Sequence, residues 1–363
     1  GGVGLVASLV IVAAWISVCG AQILAAGTIL HALVPSWDVS WLMAICALVF
    51  IAYTVLGGQY SIIRTDFLQL GILIVGIIVT LGLVMHEVGG ISGLKDTLPS
   101  NYFSFPVNES FGWYDWIVML ILTGSVYLVG PDMYSRLFCA RDEKVAKKSA
   151  LTAALVAVPI AFVIIFIGMG AKALYPDLAY AEQAYPTIIQ NLLPVGISGL
   201  VVAALLAAVM SSADTVILTT STILSVDIFG KAFPRVDERR RLLITKLGIV
   251  VIGILALVVA IESKGIINAL YNSYTIFTSG IVIPVVAGFF KDKLRVNSWG
   301  AMAAIAGGGG TALVIKLLGS RVHYLDLVGF GVCVILLFSI SWLTGGMKDR
   351  KWKSHGSDIP VSK

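Results

Sequence analysis

Residues 196–227 read GISGLVVAALLAAVMSSADTVILTTSTILSVD. The first half, Gly196 to Met210, is apolar and built largely of small side chains. The second half, Ser211 to Asp227, packs eight hydroxyls and two carboxylates into 17 residues. The uncharged run before Asp214 nearly suffices to cross a ~30 Å hydrocarbon core as a helix. Within lipid every backbone polar group needs an internal partner, so the segment has to be helical. An ionisable side chain held inside such a helix is expensive and marks a functional position by default. Membrane length with oxygen-rich side chains in its second half therefore sets the reading of the whole chain: an all-α membrane protein built around something polar.

The rest of the 363 residues agrees. The chain is 58% hydrophobic and 12% charged, against about 25% charged for a soluble domain. Apolar runs predict about ten transmembrane helices, near 3–30, 41–58, 66–86, 114–138, 150–172, 196–226, 243–261, 266–290, 298–318 and 324–344. They are too long and too uniformly apolar for the alternating strands of an outer-membrane barrel. Loop charge checks the count. Of the 25 Lys and Arg, 20 fall on one side of the alternation and five on the other. Basic residues gather on the cytoplasmic side, which places the first residue and the tail there. The same placement explains the net charge of +5 without nucleic acid. The chain divides into a transmembrane domain over 1–345 and a short basic cytoplasmic tail over 346–363. The segments 87–113 and 173–195 are the long outer loops, with short helices or lids expected in both. Cys19, Cys46, Cys139 and Cys333 are far apart and suggest neither a disulfide framework nor a zinc site.

Three groups of polar residues stand out. In the first, Ala208, Ser211, Ser212 and Thr215 recur at i, i+3, i+4 and i+7, one face of a helix, with Asp214 bordering it. Small and hydroxylated faces also serve close helix packing. Asp214 tips the balance towards a cation, because hydroxyl, carboxylate and carbonyl oxygens suit hard ions. Sodium and a proton both fit at this level. In the second, Gly57-Gly58 is expected to end one helix and a short inner loop to lead to Asp66 at the start of the next. There Asp66 gains from the helix dipole, and it lies at a depth similar to that of Asp214. In the third, Thr123, Ser125 and Tyr127 precede Asp132 and Arg136, which at i, i+4 are expected to pair.

At these residues the chain resembles the sodium:solute symporter family, which includes sodium/proline, sodium/pantothenate and sodium/glucose cotransporters. Tyr53 to Gln69 is similar to the family's Gly-Gly loop followed by a Thr-Asp helix start. Gln59 departs from the apolar residue usual after the Gly pair. His86-Glu87-Val88-Gly89-Gly90 resembles the end of that helix in the sugar-carrying branch. Gly130 to Arg136 with Ala140-Arg141-Asp142 looks like a family inner loop, and Ala203 to Phe229 like the sodium-site helix. The matches keep order over about residues 3–345.

The resemblance implies a LeuT-type inverted-repeat fold working by alternating access. It implies a principal sodium site at Ala208, Ser211 and Ser212. It also implies a second cation site at Asp66, Ser211, Asp214 and Thr215, where Asp214 replaces a family Ser. Substrate positions would fall near Thr123, Ser125 and Tyr127. The first span resembles the family's third core helix, so the first helices, roughly 100 residues at ~20 per span plus loops, are expected to be missing from this stretch.

The expected activity is sodium-coupled symport of a small organic solute (amino acid, organic acid, vitamin or sugar) across the cell membrane, with sodium as coupling ion and no other cofactor. The protein's partners are then sodium, the solute and the lipid bilayer. A transporter-like sensor domain and a proton-coupled symporter are the alternatives. The sequence carries no nucleophile–base pair, phosphate loop or metal cluster that would support an enzyme.

Overall fold

The computed structural model describes residues 2–109, 111–178, 180–233, 237–263, 265–318 and 327–345, with the backbone alone over 58–64. The tail over 346–363 lies outside the described residues.

The helices are α1 (Gly2–His31), α2 (Val39–Val88), α3 (Gly90–Thr97), α4 (Trp113–Met119), α5 (Ser125–Val129), α6 (Pro131–Leu137), α7 (Glu143–Leu174), α8 (Ala184–Asn191), α9 (Val195–Thr222) and α10 (Gly230–Ala232). After them come α11 (Glu238–Glu262), α12 (Ile266–Phe277), α13 (Ile283–Phe289), α14 (Lys291–Leu294), α15 (Ser298–Leu317) and α16 (Val328–Thr344). Among the described residues nine stretches are long and apolar enough to cross a membrane. The tenth expected span is α16, whose 17 residues reach about 26 Å at 1.5 Å per residue. Both long outer-loop segments hold short helices, α3 in one and α8 in the other. Helix starts are set by side chains that accept otherwise orphaned amides. Asp38 takes the Ser40 amide at 2.8 Å and Asp142 the Val145 amide at 2.8 Å. Asp237 takes the Arg240 amide at 3.0 Å and Asn297 the Gly300 amide at 3.0 Å. Its bond from Ser40 holds the Asp38 carboxyl below the usual carboxylate range.

α2 corrects one expectation. Its backbone is helical for 50 residues, through Gly57-Gly58, where a loop was expected. A straight helix of that length would run ~75 Å, over twice the hydrocarbon core. It does not run straight. Tyr53 Oη lies 2.6 Å from Thr65 Oγ1, whereas twelve residues of straight helix separate their backbones by ~18 Å. The helix therefore bends sharply between them, and its halves, Val39–Gly57 and Thr65–Val88, count as two spans.

The described residues form two compact units, one within 11–274 and one within 2–10 and 275–345. In the larger unit, α2 packs against α7, α9 and α11. Its core joins Ile77 and Val84 of α2 with Ile167 of α7, Ile188 and Ile189 of α8, and Val201 and Val202 of α9. α2 and α9 approach closely where Gly76 faces Ala204 and Val201.

In the smaller unit, α15 and α16 form an antiparallel pair. The buried residues of α15 include Gly300, Ala304, Gly308 and Ala312, four apart. Those of α16 are Gly329, Cys333, Leu337 and Ser341, also four apart. Small residues in such a stripe let backbones approach, which drives helix association where lipid supplies no hydrophobic force. Asn297 locks the end of the pair by donating to the Ser341 carbonyl at 3.1 Å and the Thr344 hydroxyl at 2.8 Å.

Candidate cation site

The oxygen-rich half of α9 distributes its polar groups over two faces. Ser211, Thr215 and Thr219, each four residues on, share one of them. Thr215 donates to the Ser211 carbonyl at 3.0 Å. α6 comes up against this stripe because Gly130-Pro131 restarts the helix there, with Gly130 extended at its N-cap. Proline fits the first turn, where its missing amide has no partner to lose.

From the last turn of α6, Arg136 reaches across. Its Nη2 donates to Thr215 Oγ1 at 2.7 Å and to the Ser211 carbonyl at 3.3 Å. The same nitrogen lies 3.2 Å from Asp66 Oδ2, on the second half of α2. Three oxygens from two spans thus converge on one positively charged nitrogen. The ion pair is partly open, with side-chain exposures of 45% for Arg136 and 21% for Asp66. The other carboxylate oxygen, Asp66 Oδ1, is buried and has no hydrogen-bond partner among the described residues. One turn along, Gln69 Oε1 is also buried and unpartnered. A cleft of ≈ 290 Å³ opens onto the pair, with Cys139, Val145 and Ser149 among its other walls.

Asp214 does not join this cluster through a hydrogen bond. It lies on the neighbouring face of α9, 1% exposed. Its Oδ1 is 3.0 Å from Thr54 Oγ1, on the first half of α2. Thr54 also reaches the Phe50 carbonyl at 2.8 Å. The bend in α2 thus brings one half to each polar face of α9: Thr54 to Asp214, and Asp66 to the Ser211–Thr215 face.

The remaining positions lie as follows. Ser212 is exposed, and its hydroxyl makes only a long 3.4 Å bond to the Ala208 carbonyl. Ser125 is buried and turns its hydroxyl back to the Ile121 carbonyl. Tyr127 is exposed and Thr123 half-buried. Thr123 lies in a π-helical turn over Leu120–Gly124, which widens the helix just before Ser125. Such turns recur at functional sites. Arg136 pairs with Asp66 and not with Asp132, because Asp66, Thr215 and Ser211 together offer it three oxygens. Sequence reasoning missed Arg136 as the partner of the candidate cation ligands, and Thr54 as the partner of Asp214. An isolated threonine in an apolar run gives no signal. The arginine's sequence signal, its i, i+4 spacing to Asp132, points to a different partner.

The sequence profile of the sodium:solute symporter family matches residues 3–308. The chain belongs to the sodium:solute symporter family. It is 27% identical over 366 aligned positions to sodium/myo-inositol cotransporter 2 of Rattus norvegicus, covering 84% of this chain and 54% of that protein. It is 24% identical to sodium/glucose cotransporter 4 of Danio rerio, covering 90% and 60%. This family member therefore spans about half the length of the curated relatives it matches. Its fold is that of a Na+-coupled sialic acid symporter solved in a substrate-bound outward-open state. The TM-score is 0.72 at 23% identity, over 93% of this chain and 74% of that one. The architecture is accordingly all-α and LeuT-type, and the protein is a multi-pass membrane protein.

Proposed function

We propose that the full protein carries out sodium-coupled symport of a small polar organic solute by alternating access. It would act as a transporter and not as an enzyme. The observation that most favours this reading is the convergence of the Asp66 carboxylate, the Thr215 hydroxyl and the Ser211 carbonyl on a single cationic nitrogen. Those oxygen types suit a hard monovalent ion. Sodium bound by the Ala208 carbonyl, Ser211 and Ser212 would favour the outward-open state. The Asp66 group, with Thr215 and Ser211, would take a second ion nearer the cytoplasm, and the C-terminus would lie on that side. By linkage, sodium and solute each tighten the other's binding by the same factor. Sugars and cyclic polyols are the first solutes to test, since the relatives are named as myo-inositol and glucose cotransporters. Thr123, Ser125 and Tyr127 are candidate solute contacts.

Uptake by the full-length protein in vesicles, with sodium replaced by choline, tests the reading. Ser211→Ala and Ser212→Ala should each raise the half-saturating sodium concentration about fivefold, the worth of a ~1 kcal/mol oxygen contact. Unchanged sodium dependence in both would remove these residues from the site. Proton coupling is the second reading, favoured by the burial of Asp214 against Thr54. It requires uptake that follows a pH gradient in choline and disappears in Asp214→Asn.

A further inference from the structure

We infer that Arg136 is a tethered cation that holds the Asp66 site closed, and that a second sodium ion binds only when the guanidinium leaves. The inference rests on the sodium-coupled reading above and adds a competitor built into the chain.

The geometry carries it. Arg136 Nη2 stands among Asp66 Oδ2, Thr215 Oγ1 and the Ser211 carbonyl at 3.2, 2.7 and 3.3 Å. A nitrogen with two hydrogens facing three oxygens behaves less like a donor matched to its acceptors than like a charge in a coordination shell. A metal ion and a guanidinium cannot both occupy that shell, since two positive charges a few ångströms apart repel. A purely structural arginine–carboxylate pair prefers the two-pronged geometry in which both carboxylate oxygens are held. Here one prong is made, and Asp66 Oδ1 is left buried and, among the described residues, unpartnered, an acceptor kept in reserve. The arginine also has somewhere to go. It is nearly half exposed and borders the ≈ 290 Å³ cleft that includes Cys139 and Ser149. An ion leaving Asp66 through that cleft would pass the side into which the guanidinium can swing.

Charge removal should therefore improve sodium binding, the opposite of what losing a ligand does. In the full-length protein, Arg136→Gln should lower the half-saturating sodium concentration about fivefold, the worth of a partly exposed ion pair. The Hill coefficient should rise from about one towards two, as a second ion becomes coupled. Arg136→Lys keeps the charge and should retain the wild-type requirement. Arg136→Gln combined with Asp66→Asn should lose the gain.

A wild-type measurement guards against a variant that does not fold. Among the described cysteines, Cys139 is exposed, and Cys19, Cys46 and Cys333 are buried. A guanidinium displaced into the cleft favours the nearby thiolate. Sodium should therefore speed maleimide labelling of Cys139 relative to choline, and Asp66→Asn should abolish the difference. If the wild type takes up solute in a sodium-dependent way but Cys139 labelling ignores sodium, the tethered-cation proposal fails alone. It also fails alone if Arg136→Gln needs as much sodium as before, or more. If the wild type shows no sodium effect on uptake or on labelling, the proposal falls together with the sodium-coupled reading.

Discussion

Thr54 has one hydroxyl proton and two oxygen neighbours, the Phe50 carbonyl at 2.8 Å and Asp214 Oδ1 at 3.0 Å. It is 1% exposed, as is the carboxyl it meets. A buried polar group that loses its partner costs ~1–3 kcal/mol, more when charged. Thr54→Val keeps the shape and removes the hydroxyl, so it should destabilise the protein by that amount. Asp214→Asn keeps a group that can bond Thr54 and should cost less than half as much. Thermal unfolding in detergent, read against wild type, ranks the two. Equal losses would mean that the Thr54 contact does not set the environment of Asp214. Single residues were only partly legible in the sequence. Asp66 stands out because an ionisable group in an apolar run is costly, and Ser211 and Thr215 because they recur at helical spacing beside Asp214. Their union through Arg136 was not legible, because a cross-helix partner leaves no periodic trace, whereas Asp132 at i−4 does.

At the scale of elements, α15 and α16 offer the sharpest test. A Cβ placed on Gly308 would lie 2.2 Å from the Ser279 carbonyl oxygen and 2.6 Å from Cys333 Cβ. Both neighbours are buried, and one is backbone. Gly308→Ala should therefore push the helices apart and cost ~1–3 kcal/mol or more. Two residues on, a Cβ at Gly310 meets nothing within 4 Å. Gly310→Ala should be neutral, or stabilising by up to ~1 kcal/mol through helix propensity. Detergent melting curves of both variants separate packing from propensity, since each change adds the same methyl group to the same helix. The four-glycine run over 307–310 signals either a weak helix or a close approach, and the sequence alone does not choose. Facing residues on α16 decide it, and they lie some twenty positions away. α2 teaches a related lesson. The hydrophobic lengths of its halves are local and were readable, whereas the helical backbone through Gly57-Gly58 is not a property of those residues alone.

For the whole molecule, the order of the spans fixes which loops share a side of the membrane, and this is separable from every claim about ions. Ser104 lies between the spans Thr65–Val88 and Trp113–Leu137, and Asp177 follows Glu143–Leu174. Two crossings separate Ser104 from Asp177, so they belong on one side. Cys139 precedes Glu143–Leu174 and Asp292 follows Ile266–Phe289, four crossings apart, so they share the other. Basic residues cluster around Cys139 and Asp292, so the positive-inside rule predicts that theirs is the cytoplasmic side. Ser104, Asp177, Cys139 and Asp292 are all exposed, so labelling reports sidedness and not burial. In a full-length background with Cys139→Ser, single cysteines at Ser104 and Asp177 should react with an impermeant thiol reagent in right-side-out vesicles. One at Asp292, or the native Cys139, should react only in inside-out vesicles. The bend in α2 makes this test discriminating. Were the 50 helical residues of α2 a single crossing, every loop after it would keep its order but change sides relative to Trp37. Trp37→Cys, exposed just before α2, should therefore label from the same side as Ser104. Labelling from the opposite side would mean that α2 crosses once and that the hairpin presenting Thr54 and Asp66 to α9 does not form in the membrane.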